Sequence, residues 1–213
     1  MTIRSARPDD APFIATTILS AQRGYRPRGW FDIALGWPEP RTRDFVTRIA
    51  IAHAESMWHV SQFLIAEADG KPAAALCALP AGGTGPAAWR AIEEVGAATG
   101  LTDHELEAIR QRGAYVRGCW VQGGETDWMI EHVAKDQGQS HRARGLVQAL
   151  IAEALERGSS AGFRRATISF LIGNEPAERC YTKAGFVLAD EKRDAAFEAL
   201  IGAPGFRMFA REI

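Results

Sequence analysis

The chain has 213 residues, 46% hydrophobic and 24% charged, with 25 Lys plus Arg against 26 Asp plus Glu and a formal net charge of −1. That length supports one sizeable core without disulfides, and the balanced charge gives no global pull toward nucleic acid or an anionic membrane. Met1 to Asp10 is polar, no run approaches the ~20 apolar residues of a membrane span, and Cys77, Cys119 and Cys180 form neither a metal-spaced pair nor an even disulfide set; the expectation is a single cytoplasmic domain without a metal.

In chain order, Thr2 to Ala6 is β-prone. Asp9 is placed to cap a helix over residues 10–22, with Pro12 in its first turn and Phe13, Ile14, Thr17 and Ile18 at helical spacing. Residues 23–40 read as a loop, rich in Gly, Pro and Arg (Arg23, Arg26, Arg28) and anchored by Trp30, Phe31 and Trp37. A second helix is expected over 40–57, with Phe45, Val46, Ile49 and Met57 on one side. Two β-prone runs, Val60 to Ala68 and Lys71 to Leu79, flank Asp69-Gly70, a strong hairpin signal.

Residues 80–86 break the pattern, and short helices are expected over about 87–99 and 102–113. Thr102 and Glu105 make a capping box, and Gly100 and Gly113 stand where C-terminal caps belong. Residues 114–122 are ambiguous, and Gly123-Gly124 is a turn. Asp127 to Ala134 reads as a strand and 135–145 as a polar, basic loop. The rows Leu146, Leu150, Ala154 and Val147, Ile151, Leu155 make a broad apolar stripe on a helix ending near Gly158. Ala166 to Ile172 is a strand; Asn174 caps the following helix and Gly185 stops it. Phe186 to Ala189 and Phe206 to Ala210 close the chain as a strand pair. The order implies an α/β (α+β) layout on a largely antiparallel sheet, one domain over 1–213 with a helical insertion at about 80–125.

Two segments carry the chemistry. In Gly138-Gln139-Ser140-His141-Arg142-Ala143-Arg144-Gly145, basic residues precede a helix whose first N–H groups are unpaired and lie at the positive end of its dipole. Phosphate is a natural ligand there. On these grounds alone the segment is either a pyrophosphate cradle or an ordinary basic turn capping a core helix. It lacks the Gly-Lys-Ser/Thr of a nucleotide-phosphate hydrolase or kinase and the G-x-G-x-x-G of a dinucleotide fold. The second segment is Asn174-x-x-Ala177-x-x-x-Tyr181-x-x-x-Gly185-Phe186. Tyr181 is either a phenol able to protonate a leaving thiolate or a packed residue beside Ala177 and Ala184.

Together the two segments resemble the acetyl-CoA-binding core of the GNAT superfamily of N-acetyltransferases. The family's phosphate loop, Gln/Arg-x-x-Gly-x-Gly/Ala, is matched by Arg142-Ala143-Arg144-Gly145-Leu146-Val147, with Val147 in place of a small residue. The family's Asn-x-x-Ala-x-x-x-Tyr-x-x-x-Gly-Phe is matched throughout residues 174–186. The resemblance implies a mixed, mostly antiparallel sheet flanked by helices, with strand 127–134 splayed from strand 166–172 to receive CoA. It implies that pantetheine pairs with the backbone of His132, Val133 and Ala134, and that pyrophosphate sits on His141, Arg142, Ala143, Arg144, Gly145 and Leu146. It places Asn174 against pantetheine and Tyr181 beside the sulfur, as acid to the departing thiolate.

Glu131 is the candidate base; regular strand alternation would send it and His132 to opposite faces. Cys180 has no nucleophilic role in direct transfer. The expected acceptor is a primary amine of a small molecule or peptide; the alternative is a non-catalytic acyl-CoA-binding or sensor domain, which Val147 keeps open. The insertion, with Trp89, Tyr115, Trp120 and Trp128 on or near it, is a wall over the acceptor, a homodimer contact or a surface decoration.

Overall fold

The computed structural model describes residues 2–136 and 145–213. Seven strands form one sheet: β1 (Thr2–Ser5), β2 (Phe63–Ala68), β3 (Lys71–Pro80), β4 (Trp128–Lys135), β5 (Arg165–Leu171), β6 (Val187–Arg193) and β7 (Gly205–Glu212). Their spatial order is β1-β2-β3-β4-β5-β7-β6, and only β4 and β5 run parallel. The helices are α1 (Ala11–Arg23), α2 (Trp30–Leu35), α3 (Glu39–Ile49), α4 (Thr84–Ala98), α5 (Asp103–Gly113), α6 (Leu146–Ser160), α7 (Glu175–Lys183) and α8 (Ala195–Ile201).

The apolar residues of α1 to α4 meet one face of the sheet, where Ile14, Ile18, Phe45, Val46 and Ile49 pack on Phe63, Ile65 and Cys77. Leu150, Ile151 and Ala154 of α6 and Tyr181 of α7 cover the other, on Leu64, Leu76 and Ile168. The alanines that dilute the β-propensity of β3 are fully buried at 73–75: Ala73 and Ala74 let α6 lie close, and Ala75 belongs to the core on the α1 side. Asp69 and Gly70 both take positive φ, 52° and 72°, as a tight type I′ hairpin turn requires.

Several boundaries differ from expectation. Residues 23–40 contain α2, and α3 ends at Ile49 rather than 57. Met57 still reaches the core from the connection, and its carbonyl accepts from the Cys77 thiol at 3.2 Å. Asp10, not Asp9, stands at the start of α1; its carboxylate accepts from the Arg7 N–H at 2.8 Å and pairs with Arg4. α4 begins at Thr84, inside the stretch that reads as a breaker. α8 was not foreseen; Asp194 caps it by accepting from the Phe197 N–H. Gly113 is helical, and its missing side chain admits the Trp30 ring: a Cβ there would meet Trp30 Cζ2 at 2.6 Å.

α6 ends close to Gly158, as expected. The helix continues to Ser160, and Gly158 is where Trp128 lies against it, its indole N–H donating to the Ala154 carbonyl at 2.9 Å. A Cβ on Gly158 would stand 2.6 Å from Trp128 Cδ1 and 3.0 Å from Ile213. Gly158→Ala is therefore expected to lose about 1–3 kcal/mol by overpacking, against the ~1 kcal/mol that Ala gains in helix propensity. Urea unfolding checks the sign, and a more stable variant would show that Trp128 yields freely.

Candidate active site

β4 and β5 pair only at Trp128↔Ala166, Met129↔Thr167 and Ile130↔Ile168. Both strands run on, to Lys135 and Leu171, without further pairing between them. The two strands thus part beyond Ile130 and leave the β5-facing backbone of β4 outside the ladder. A cleft of about 1590 Å³ opens there, bounded by the second half of β4, α1, the 21–30 connection, the end of the insertion, α7 and α8.

The parting coincides with a bulge on the other edge of β4. Ala75 faces Ala134 and Cys77 faces Glu131, so Leu76 alone opposes both His132 and Val133. His132 takes φ 52°, a left-handed conformation uncommon outside glycine. The bulge overturns the expected alternation. Glu131 stands opposite Cys77, on the α1 side, and the His132 ring stacks on Phe63 of that same side at 6.4 Å. Both side chains are buried and both border the cleft.

Burial sets their charge. It pushes the Glu131 carboxyl up to about 8 and the His132 imidazole down to about 4, so both are mostly neutral at pH 7. His132 Nε2 has no hydrogen-bond partner among the described residues. An unfolded His protonates near 6.5, before the folded one. His132 therefore contributes stability that is present above 6.5 and lost as pH falls toward 4.

Tyr181 comes to the same cleft from α7, whose N-terminus is capped as expected: Asn174 Oδ1 accepts from the Ala177 N–H at 3.2 Å. The Tyr181 ring packs edge-on against Phe170, and burial raises its phenol well above the usual tyrosine value, with the Glu131 charge contributing. Cys180 beside it is tied to α6: Gln148 Nε2 donates to the Cys180 carbonyl at 2.7 Å. Gly145, at φ 82° with nothing among the described residues within 4 Å of its Cβ position, starts α6 at the cleft edge, and Leu146 turns into the core. His141, Arg142, Ala143 and Arg144 lie outside the described residues. Val133 and Ala134 border the cleft with Glu131 and His132, so the described candidates other than Leu146 converge on one space.

The expected aromatic walls are partly redistributed. Tyr115 and Trp120, at the end of the insertion, border the cleft, as do Trp30 and Trp58. Trp89 instead lies under Arg110 and packs against the α1-side core, Trp128 packs on Phe163, and Trp37 on Phe45. Arg23 is engaged by Asp32 through two hydrogen bonds of 2.8 and 2.9 Å. Trp58 and the bulge at His132 are what sequence reasoning missed. Trp58 follows Met57 in a segment read as helix, and nothing in Glu131-His132-Val133 departs from an ordinary strand. The insertion is hooked to α2: Arg112 donates to the carbonyls of Ala34 and Leu35 at 2.8 and 3.1 Å, and Trp30 Nε1 donates to Gly113 O at 2.9 Å. Cations at a helix C-terminus are favourably placed.

Residues 27–186 match the sequence model of the acetyltransferase (GNAT) family. Among solved structures, one described as an acetyltransferase aligns over 100% of both chains with a TM-score of 0.68 at 18% identity. An N-acetyltransferase from Staphylococcus aureus Mu50 aligns over 99% of this chain and 100% of its own, with a TM-score of 0.65 at 18% identity. The polyamine N-acetyltransferase of Drosophila melanogaster, described as forming N-acetylagmatine, covers 100% of this chain and 99% of its own, with a TM-score of 0.56 at 14% identity. Likenesses at these identities are of fold. No curated protein matches in sequence.

Proposed function

Because the chain belongs to the GNAT acetyltransferase family, we propose that its cleft transfers an acetyl group from acetyl-CoA to a primary amine of a small molecule or peptide by direct attack on the thioester. The observation that carries this reading is the parting of β4 from β5 at a bulge that brings Glu131 to the cleft, with Tyr181 bordering the same space. The acetyl donor fits such a site. The backbone of His132, Val133 and Ala134 runs along the cleft, the amide arm of Asn174 stands at α7, and Gly145 at the start of α6 borders the same space. Bound there, acetyl-CoA supplies the activated acyl group.

The chain's own groups then divide the proton work. Glu131 ionises as pH rises through about 8 and takes the ammonium proton, directly or through a water. In this reading the Val133 N–H meets the developing oxyanion. Tyr181, held protonated by burial, gives its proton to the departing thiolate. The walls hold the amine against the carbonyl, which lowers the entropic part of the barrier. The insertion forms one such wall, and the free cysteines fit a cytoplasmic place of action.

The test measures free thiol from acetyl-CoA over an amine panel, beside the heat of CoA titration. Thiol release that depends on added amine is the expected result. Heat without thiol would select the non-catalytic acyl-CoA-binding reading, for which Val147 at the first turn of α6 speaks. Activity is also expected to rise with pH up to about 8, as Glu131 and the amine both lose protons. A profile flat between pH 6 and 9 would remove Glu131 as the base.

A further inference from the structure

The charges bordering the cleft are unevenly spread. Arg26, Arg28, Arg117 and Lys192 stand on the acceptor side, on the connection after α1, the end of the insertion and β6. Arg28 and Lys192 donate to the backbone carbonyls of Leu200 and Trp120. Arg26, which is half-buried, and Arg117 have no carboxylate partner among the described residues. The acids bordering the same space do not balance them. Glu39 is held between Arg23 and Arg43, Glu131 lies deep on the bulge, and Asp136 follows the end of β4 next to Lys135, which also borders the cleft.

The body of this half is aromatic. Trp30 and Trp58 stack at 5.7 Å on one side, and Tyr115 stacks on Phe197 at 5.7 Å on the other. Trp58 is 6% exposed, and its indole N–H is buried with no acceptor among the described residues, so a hydrogen-bond donor is left over in the wall.

Charge and shape therefore have a polarity: a buried carboxyl where the amine must react, aromatic sides, and unpaired guanidinium groups at the rim. A polycation would bring like charge to that rim. An anionic group would find arginine forks able to hold it. We infer that the acceptor is a primary amine with an aromatic or other apolar body that carries an anionic group, and not a polyamine. This rests on the acetyl-transfer reading of the cleft and names its substrate class.

The experiment compares matched acids and amides by thiol release at fixed acetyl-CoA: phenylalanine with phenylalaninamide, and para-(aminomethyl)benzoate with its amide, with spermidine as the polycation. The acid of at least one pair is expected to exceed its amide by about tenfold or more in kcat/KM, with spermidine lowest. The double variant Arg26→Gln, Arg117→Gln should bring that ratio to within about threefold of unity, and added salt should shrink it in the unmodified protein. A preference for the amides or for spermidine overturns the inference while leaving acetyl transfer intact. So does a double variant that keeps the ratio but binds CoA more weakly by calorimetry, since the arginines would then serve the cofactor's phosphates. Absence of thiol with every amine overturns the transfer reading, and this one with it.

Discussion

Tyr181→Phe is expected to lower turnover about a hundredfold while moving the KM for acetyl-CoA less than about twofold. The substitution removes one oxygen and keeps the ring. The ring's contacts with Phe170 and the α6 face of the core therefore survive. The phenol lies within electrostatic reach of Glu131, and burial keeps it protonated far above neutral pH. The proton is therefore on the phenol oxygen at working pH, available to meet a thiolate as it leaves. The loss should be smaller with a thioester whose leaving thiol is more acidic, because that thiolate needs less help. Unchanged turnover, or a loss confined to KM, would return Tyr181 to a packing role.

Glu131→Gln is expected to remove most of the rate and to make the protein more stable, two effects that a purely structural carboxyl would not combine. The rate should lose its rise toward pH 8, because the amide cannot ionise. For stability, the unfolded carboxyl gives up its proton near 4.5 and the folded one near 8. Between those values the unfolded state holds fewer protons, so stability falls as pH rises, reaching its full loss above 8. Full conversion of that shift is worth at most about 5 kcal/mol, and the buried amide gives part of it back. The stability difference between variant and parent should therefore grow from pH 5 to 8 and level off above. Urea midpoints along that range measure it, and a constant difference would mean that the carboxyl is not held neutral.

The elements that were legible share a local cause. Asp69-Gly70 specifies its turn through backbone conformation, Thr102 and Glu105 satisfy each other's helix start, and Asn174 caps α7 through one side-chain bond. None of these needs a distant partner. The GNAT-type sheet, mostly antiparallel with one splayed parallel pair, followed from such signals and from the two motifs. What was not legible depends on tertiary contact. The bulge at His132 exists because β3 and β4 pair out of step, and nothing in the eight residues of β4 records that. α8 spans seven residues, too short for a helical period to show. α5 ends at Gly113 and α6 just past Gly158, as read, but that each glycine also makes room for an indole brought from elsewhere in the chain was not legible. The site followed the same division. Tyr181, Glu131 and Asn174 came from motif and strand position, whereas Trp58 is at the cleft only because the connection after α3 folds back over β3.

Trp30 anchored on Gly113 and Arg112 anchored on Ala34 and Leu35 have a consequence for how this cleft diversifies. The connection after α1 and the insertion border the cleft from separate stretches of sequence, yet each is clasped by the other. A graft that imports a foreign insertion alone would leave the Trp30 indole without its carbonyl and the end of α2 uncapped. Exchange of acceptor preference between such proteins should therefore succeed when residues 24–37 and 80–122 travel as one cassette, and fail when either is moved singly.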